Sequence, residues 1–152
     1  MMALKDIEID HVNQVKKVLF AQMNILFGGI PSELEAFLRD KAILTGGAIS
    51  SIMHDETPKD YDLYLNDVND IMNFKQYVHG MDKNYIQNAD EKYIEVLIEG
   101  KLVTANATTF KNSLQVITLA TADSRSTFDF VHCMPWYKIS DHTLFISKKQ
   151  YN

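Results

Sequence analysis

Asp60 and Asp62 stand one residue apart in LTGGAISSIMHDETPKDYDLYL, residues 44–65. On a strand, that spacing sends both carboxylates to one face and Tyr61 and Leu63 to the other. Two acids on one face repel each other, and the repulsion raises a carboxylate pKa unless a cation lies between them. Hard divalent ions such as Mg²⁺ are held by one or two carboxylates together with substrate phosphates. Upstream, Gly46-Gly47 opens a helical segment whose free backbone N–H groups and positive dipole end suit a phosphate. The pattern therefore joins an anion site to a cation site through a short spacer.

Clamping two metals roughly 3.5–4 Å apart for in-line phosphoryl chemistry calls for a third carboxylate. Asp129, alternating with Phe128 and Phe130 in STFDFVH, is the candidate, because the aromatic pair would face the core and the acid the open surface. Glu95 and Glu99 also fall on expected strands and stay open as alternatives. Ser50 and Ser51 follow the glycine turn and divide between phosphate contact and an ordinary helix surface. Read blandly, Asp-x-Asp is a solvated pair and Gly-Gly a tight turn. His132 and Cys133 point to opposite faces of a strand, with no third ligand spaced for zinc, and read as packing residues. Lys138, Lys148 and Lys149 read as a solvated basic tail, and of Tyr61 and Tyr64, which could stack on a base, burial accounts better for Tyr61.

The elements that must position these residues follow from periodicity. Asp10 is expected to cap a helix with Val12, Val15, Leu19, Met23, Leu26 and Phe27 on one apolar stripe, ending at Gly28-Gly29. Ser32 with Glu35 forms a capping-box pattern ahead of a second helix that buries Leu34, Phe37 and Leu38. Together the two helices form a lid or brace. A strand over residues 42–45, the glycine turn and a helix start come next, then a strand over 61–65. A helix over 68–79, capped by Asn66 or Asp67, stops at Gly80. Residues 92–98 and 101–108 read as hairpin arms around Glu99-Gly100, with further strands over 114–119, 127–132 and 143–146.

Composition sets the frame. At 152 residues with 46% hydrophobic and 23% charged, the chain suits one ordinary globular domain, 1–152, burying roughly 70% of the surface its unfolded form exposes. The single Cys133 excludes a disulfide framework and a multi-cysteine zinc site. A net charge of −5, with Arg39 and Arg125 the only arginines, argues against a protein held to nucleic acid by charge alone. With no run of ~18 apolar residues and no secretory leader pattern, the expectation is a soluble, cytoplasmic protein with no membrane partner.

The run GGAISSIMHDETPKDYDLYL resembles the signature of the DNA polymerase beta-type nucleotidyltransferase superfamily: a Gly-Gly turn opening a helix, a spacer, then Asp-hydrophobic-Asp-hydrophobic on a strand. It looks most like the poly(A) polymerase and CCA-adding heads, with Lys59 to Leu63 worded similarly. The whole is similar to small nucleotidyltransferase-like proteins of bacteriophages and bacteria, in which a strand like Phe128 to Cys133 recurs. The likeness is close over about twenty residues and looser elsewhere. It implies a minimal α/β (α+β) nucleotidyltransferase fold, a small mixed sheet with helices on one face and helices at the N-terminus.

The resemblance further implies that Gly46 and Gly47 approach NTP phosphates, that Asp60 and Asp62 bind catalytic Mg²⁺ or Mn²⁺, and that Asp129 helps ionise the attacking hydroxyl. Two departures stand out. Ser50-Ser51 replaces the Arg-Asp of the CCA-adding branch, so the chain can hydrogen-bond a phosphate there but not neutralise it. Twenty residues after His132 leave no room for tRNA-measuring domains. The expected activity is transfer of a nucleoside monophosphate from an NTP to a hydroxyl of an RNA, protein or small-molecule acceptor. The alternative is a nucleotide- or protein-binding module on the same fold, serving a toxin system or a virus.

Overall fold

The computed structural model describes residues 6–45, 47–65, 67–86, 92–98, 101–112, 114–119 and 135–146, without the side chains of 6–8, 92–98, 101–106 and 119. Asp129, Gly46, Glu99, His132, Cys133, Lys148 and Lys149 lie outside the described residues, as does the strand expected over 127–132 and the side chain of Glu95.

Helix α1 spans Asp6–Phe27 and α2 spans Ser32–Lys41. Strand β1 is Ile43–Thr45, α3 is Gly47–Met53, β2 is Tyr61–Leu65 and α4 is Val68–Gly80. A 3₁₀ turn over Lys83–Tyr85 leads to β3, Lys92–Ile98, and β4, Lys101–Thr109. Then come β5, Leu114–Leu119, β6, Trp136–Lys138, and β7, Thr143–Phe145. The strands form one mixed sheet in the order β3-β4-β5-β2-β1-β6-β7. Among the described residues, β2 with β5 is the one parallel pair, and the other neighbours are antiparallel. The expected mixed α+β architecture with N-terminal helices is the observed one. Among the described residues, no helix is long and apolar enough to cross a membrane.

Alternation sorts the sheet residues. Leu63 of β2, Leu44 of β1, Val116 of β5 and Tyr137 of β6 are paired along the ladders, point to one side, and are fully enclosed. They merge with Val15, Leu19, Met23, Leu34, Leu38, Ile49 and Phe74 into one core, so the helices cover this side. The brace expected of α1 and α2 is built into that core. Arg39 stitches the two helices, donating to Glu35 Oε2 at 2.9 Å and to Asn24 Oδ1 at 2.8 Å while its guanidinium lies 4.7 Å from the centre of the Phe27 ring.

Asn112 ties the brace to the sheet. Its Nδ2 donates to the Leu26 carbonyl at 2.6 Å, satisfying one of the open carbonyls at the end of α1, and its Oδ1 accepts from Leu114 N at 3.2 Å where β5 begins. Gly29 is required by this approach, since a Cβ there would meet Asn112 Nδ2 at 2.8 Å.

Three sequence expectations are corrected. Helix α1 starts at Asp6, so Asp10 is an interior residue and not the cap. Pro31 occupies the N-cap of α2, Ser32 is already helical, and no side-chain cap bond forms there. Pro31 supplies an extended backbone with ψ 143, and its carbonyl accepts Glu35 N at 2.9 Å, so the chain enters the helix without the capping box. Strand β6 was absent from the sequence reading altogether. Elsewhere the boundaries agree closely, and Asp67 caps α4, accepting from Asn69 N and Asp70 N at 2.9 and 3.2 Å.

Candidate carboxylate site on the sheet face away from the helices

Strand β2 presents Asp62 on the side of the sheet opposite the helices. Tyr61, Leu63 and Leu65 carry the burial that fixes the strand's orientation, so the period of two sends Asp62 and Tyr64 the other way. Asp60 immediately precedes the strand and is exposed. Asp62 is half-buried, and its Oδ1 is enclosed with no hydrogen-bond partner. Burial pushes its carboxyl above the ordinary range, and the Asp60 charge adds to the rise. The repulsion foreseen from the spacing is thus present between the two acids. Tyr64, next on the same face, has its phenol pushed up by burial first and by the Asp62 charge second.

The neighbouring strands extend this face. Asp62 pairs with Gln115 of β5. On the other side Ile43 faces Tyr64 and Leu44 faces Leu63, and one step further along that register sets Thr45 across from Asp62. Thr45 in turn pairs with Trp136, and Trp136 with Phe145. Paired residues share a face. Gln115, Asp62, Thr45, Trp136 and Phe145 therefore form one row across five strands. The Thr45 hydroxyl lies beside the Tyr64 phenol and opposes its pKa rise.

Helix α3 leaves β1 directly after residue 46. Gly47, Ser50 and Ser51, at i, i+3 and i+4, lie on one face of it, opposite the buried Ala48, Ile49, Ile52 and Met53. A Cβ at Gly47 would meet nothing within 4 Å. Packing therefore does not demand glycine there, which removes the tight-turn explanation at this residue and leaves room for a ligand to approach the backbone. Ser51 lends its carbonyl to Glu56 N at 2.8 Å, fixing the loop that returns to β2.

Two hard oxygen donors, one holding an enclosed and unpartnered oxygen, suit a divalent cation whose remaining positions are filled by water or phosphate. Asp60 and Asp62 are brought together as the sequence required, and Gly47, Ser50 and Ser51 share a helix face nearby in the chain. Among the described residues no group of three or more His, Cys, Asp or Glu gathers as a metal site. Trp136 was missed by sequence reasoning: its place beside Thr45 depends on a pairing about ninety residues distant, and its only local signal is the Pro135-Trp136-Tyr137 run, aromatic and strand-prone after a proline.

With that geometry in place, comparison with known proteins decides the family. The model of the Gad2 family, described as Gabija anti-defense 2 family protein, matches residues 13–152. The chain belongs to the Gabija anti-defense 2 family. No curated protein and no solved structure matches it. Membership of the Gabija anti-defense 2 family corrects the expectation of the polymerase beta-type nucleotidyltransferase superfamily. The likeness behind that expectation rested on about twenty residues. A glycine turn before a helix and alternate acids on a strand are local geometry, available to any fold that places a strand, a turn and a helix in succession, whereas the Gad2 match draws on nearly the whole chain. As a Gad2 family member, the protein is an anti-phage-defence accessory protein.

Proposed function

We propose that this anti-defence protein binds a nucleoside triphosphate through a divalent cation held by Asp60 and Asp62, and transfers its nucleoside monophosphate to an acceptor hydroxyl. The observation that carries the reading is the Asp62 carboxylate, half-buried, raised in pKa and with an enclosed oxygen that has no partner, beside a second acid. A structure that buries such a group forgoes about 1–3 kcal/mol unless something satisfies it, and a cation satisfies both acids at once. Mg²⁺ or Mn²⁺ would supply charge neutralisation of the phosphates and of the leaving pyrophosphate. In the reaction the acceptor oxygen bonds to the α-phosphorus, the bond to pyrophosphate breaks, and the hydroxyl proton passes to solvent or a nearby carboxylate. Asp60 and Asp62 orient the phosphates for in-line attack, and the uncovered backbone at Gly47 leaves space for them.

A second reading, nucleotide holding without transfer, is favoured by the uncharged Gly47, Ser50 and Ser51 face, whose hydroxyls can hydrogen-bond a phosphate but cannot neutralise it.

Incubation with each α-labelled NTP, Mn²⁺ and a mixture of cellular RNA and protein separates the two. Transfer of label with pyrophosphate release, abolished in a folded Asp60→Ala, Asp62→Ala protein, is the expected result. Cation-dependent NTP binding without pyrophosphate release moves the protein to the second reading, and transfer that survives the double substitution overturns the assignment of both acids.

A further inference from the structure

Three buried side-chain polar atoms lack a hydrogen-bond partner among the described residues: Asp62 Oδ1, Thr45 Oγ1 and Trp136 Nε1. They fall on three adjacent strands in one cross-strand row, Asp62 beside Thr45 and Thr45 beside Trp136. Buried groups without partners are rare in folded proteins, so three in a row mark one shared deficit. The deficit is bounded on both sides. On the β5 side, Gln115 Nε2 donates to Thr109 Oγ1 at 3.1 Å. On the β7 side the Trp136 ring is closed by Phe145, with centroids 5.5 Å apart and planes at 14°. What is unsatisfied is an acceptor at one end, a hydroxyl in the middle and a donor at the other.

We propose that Trp136 donates its indole N–H to the base of the nucleotide whose cation Asp60 and Asp62 hold, with the Thr45 hydroxyl meeting the sugar between them. This rests on the cation and nucleotide reading of Asp60 and Asp62 above and extends it to a base-contacting residue. Two strand spacings of roughly 4.8 Å separate the Asp62 and Trp136 strands, the order of the distance between a phosphate-bound cation and the base of the same nucleotide. The Phe145 stack fixes the indole plane, so the N–H is held in one direction and favours an acceptor atom on the base edge. Trp136 is a specificity residue in this arrangement, and Thr45 a positioning residue.

Because the chain has one tryptophan, its indole N–H gives a single resonance in a ¹H–¹⁵N spectrum and its ring the whole tryptophan fluorescence. Mn²⁺ alone is expected to broaden the indole resonance in the native protein and not in Asp62→Asn. Mg²⁺ with the preferred member of ATP, GTP, CTP and UTP is expected to shift the indole proton downfield. Trp136→Phe is expected to weaken binding of that nucleotide about tenfold, the loss of one hydrogen bond of about 1.4 kcal/mol, with Mn²⁺ affinity unchanged. That unchanged affinity also reports that the variant is folded. Nucleotide binding by calorimetry that leaves the indole resonance where it was overturns the Trp136 contact while the cation reading stands. Failure of Mn²⁺ to bind or to broaden the resonance overturns the cation reading itself.

Discussion

The two faces of β2 differ in what they are built to satisfy. Toward the helices, Leu63 and its neighbours on β1, β5 and β6 are fully enclosed by apolar side chains, and every contact there is supplied by the chain itself. Toward the other side, three residues on adjacent strands enclose polar atoms that the described chain does not satisfy. One strand of five residues thus separates a side whose burial is apolar from a side whose burial leaves three polar atoms unsatisfied. That difference is the physical ground for the proposed site: apolar packing explains itself, whereas enclosed polar atoms without partners call for an explanation.

Substitutions on the two faces should part sharply. Leu63→Ala removes a fully enclosed side chain from the centre of the sheet and is expected to cost about 2–5 kcal/mol, read as a lower urea midpoint at unchanged slope. Asn112→Ala comes next, stranding the Leu26 carbonyl and Leu114 N–H together, with an expected loss of about 1–3 kcal/mol in the same assay. A value near zero would show that the brace and the sheet are not coupled there.

The smallest effect on stability belongs to the face away from the helices. Asp62 has a raised pKa when folded, so between its ordinary value near 3.8 and the raised one the folded protein keeps a proton that the unfolded chain has lost. Stability arising from this group therefore falls as pH rises through that interval and levels off above it. Asp62→Asn should flatten the fall, seen as a narrowing difference in melting temperature between the two proteins as pH is lowered. Mg²⁺ at neutral pH should raise the melting temperature of the native protein alone. If Asp62→Asn and the native protein keep the same pH profile, the carboxylate is not desolvated as described.

What the residues announced and what they concealed follow a physical line. The limits of β2 and β5, the Asp67 cap of α4 and the hairpin of β3 with β4 were legible because period, cap and turn are local. The proximity of Asp60 and Asp62 was legible for the same reason. The N-cap of α2 was misread because Pro31 and Ser32 are both good starting residues and the backbone settled on the proline. Strand β6 escaped because three residues carry no period, and its identity as a strand comes from pairing with β1. The role of Trp136 escaped with it. The family, too, was not legible from the Gly-Gly and Asp-x-Asp pattern, which describes a local arrangement of backbone and charge rather than a lineage.

The row across β2, β1 and β6 also has a history in time. Its members come from positions 62, 45 and 136, and β2 meets its parallel neighbour β5 only after some fifty intervening residues. Pairings of that sequence separation close late, because loop entropy opposes them until the rest of the sheet is in place. On the ribosome, the helical brace and the β1–β2 pair can form while β6 is still being made. The row is therefore complete only once β6 has been made and has paired with β1, and the proposed nucleotide site can exist no earlier than that.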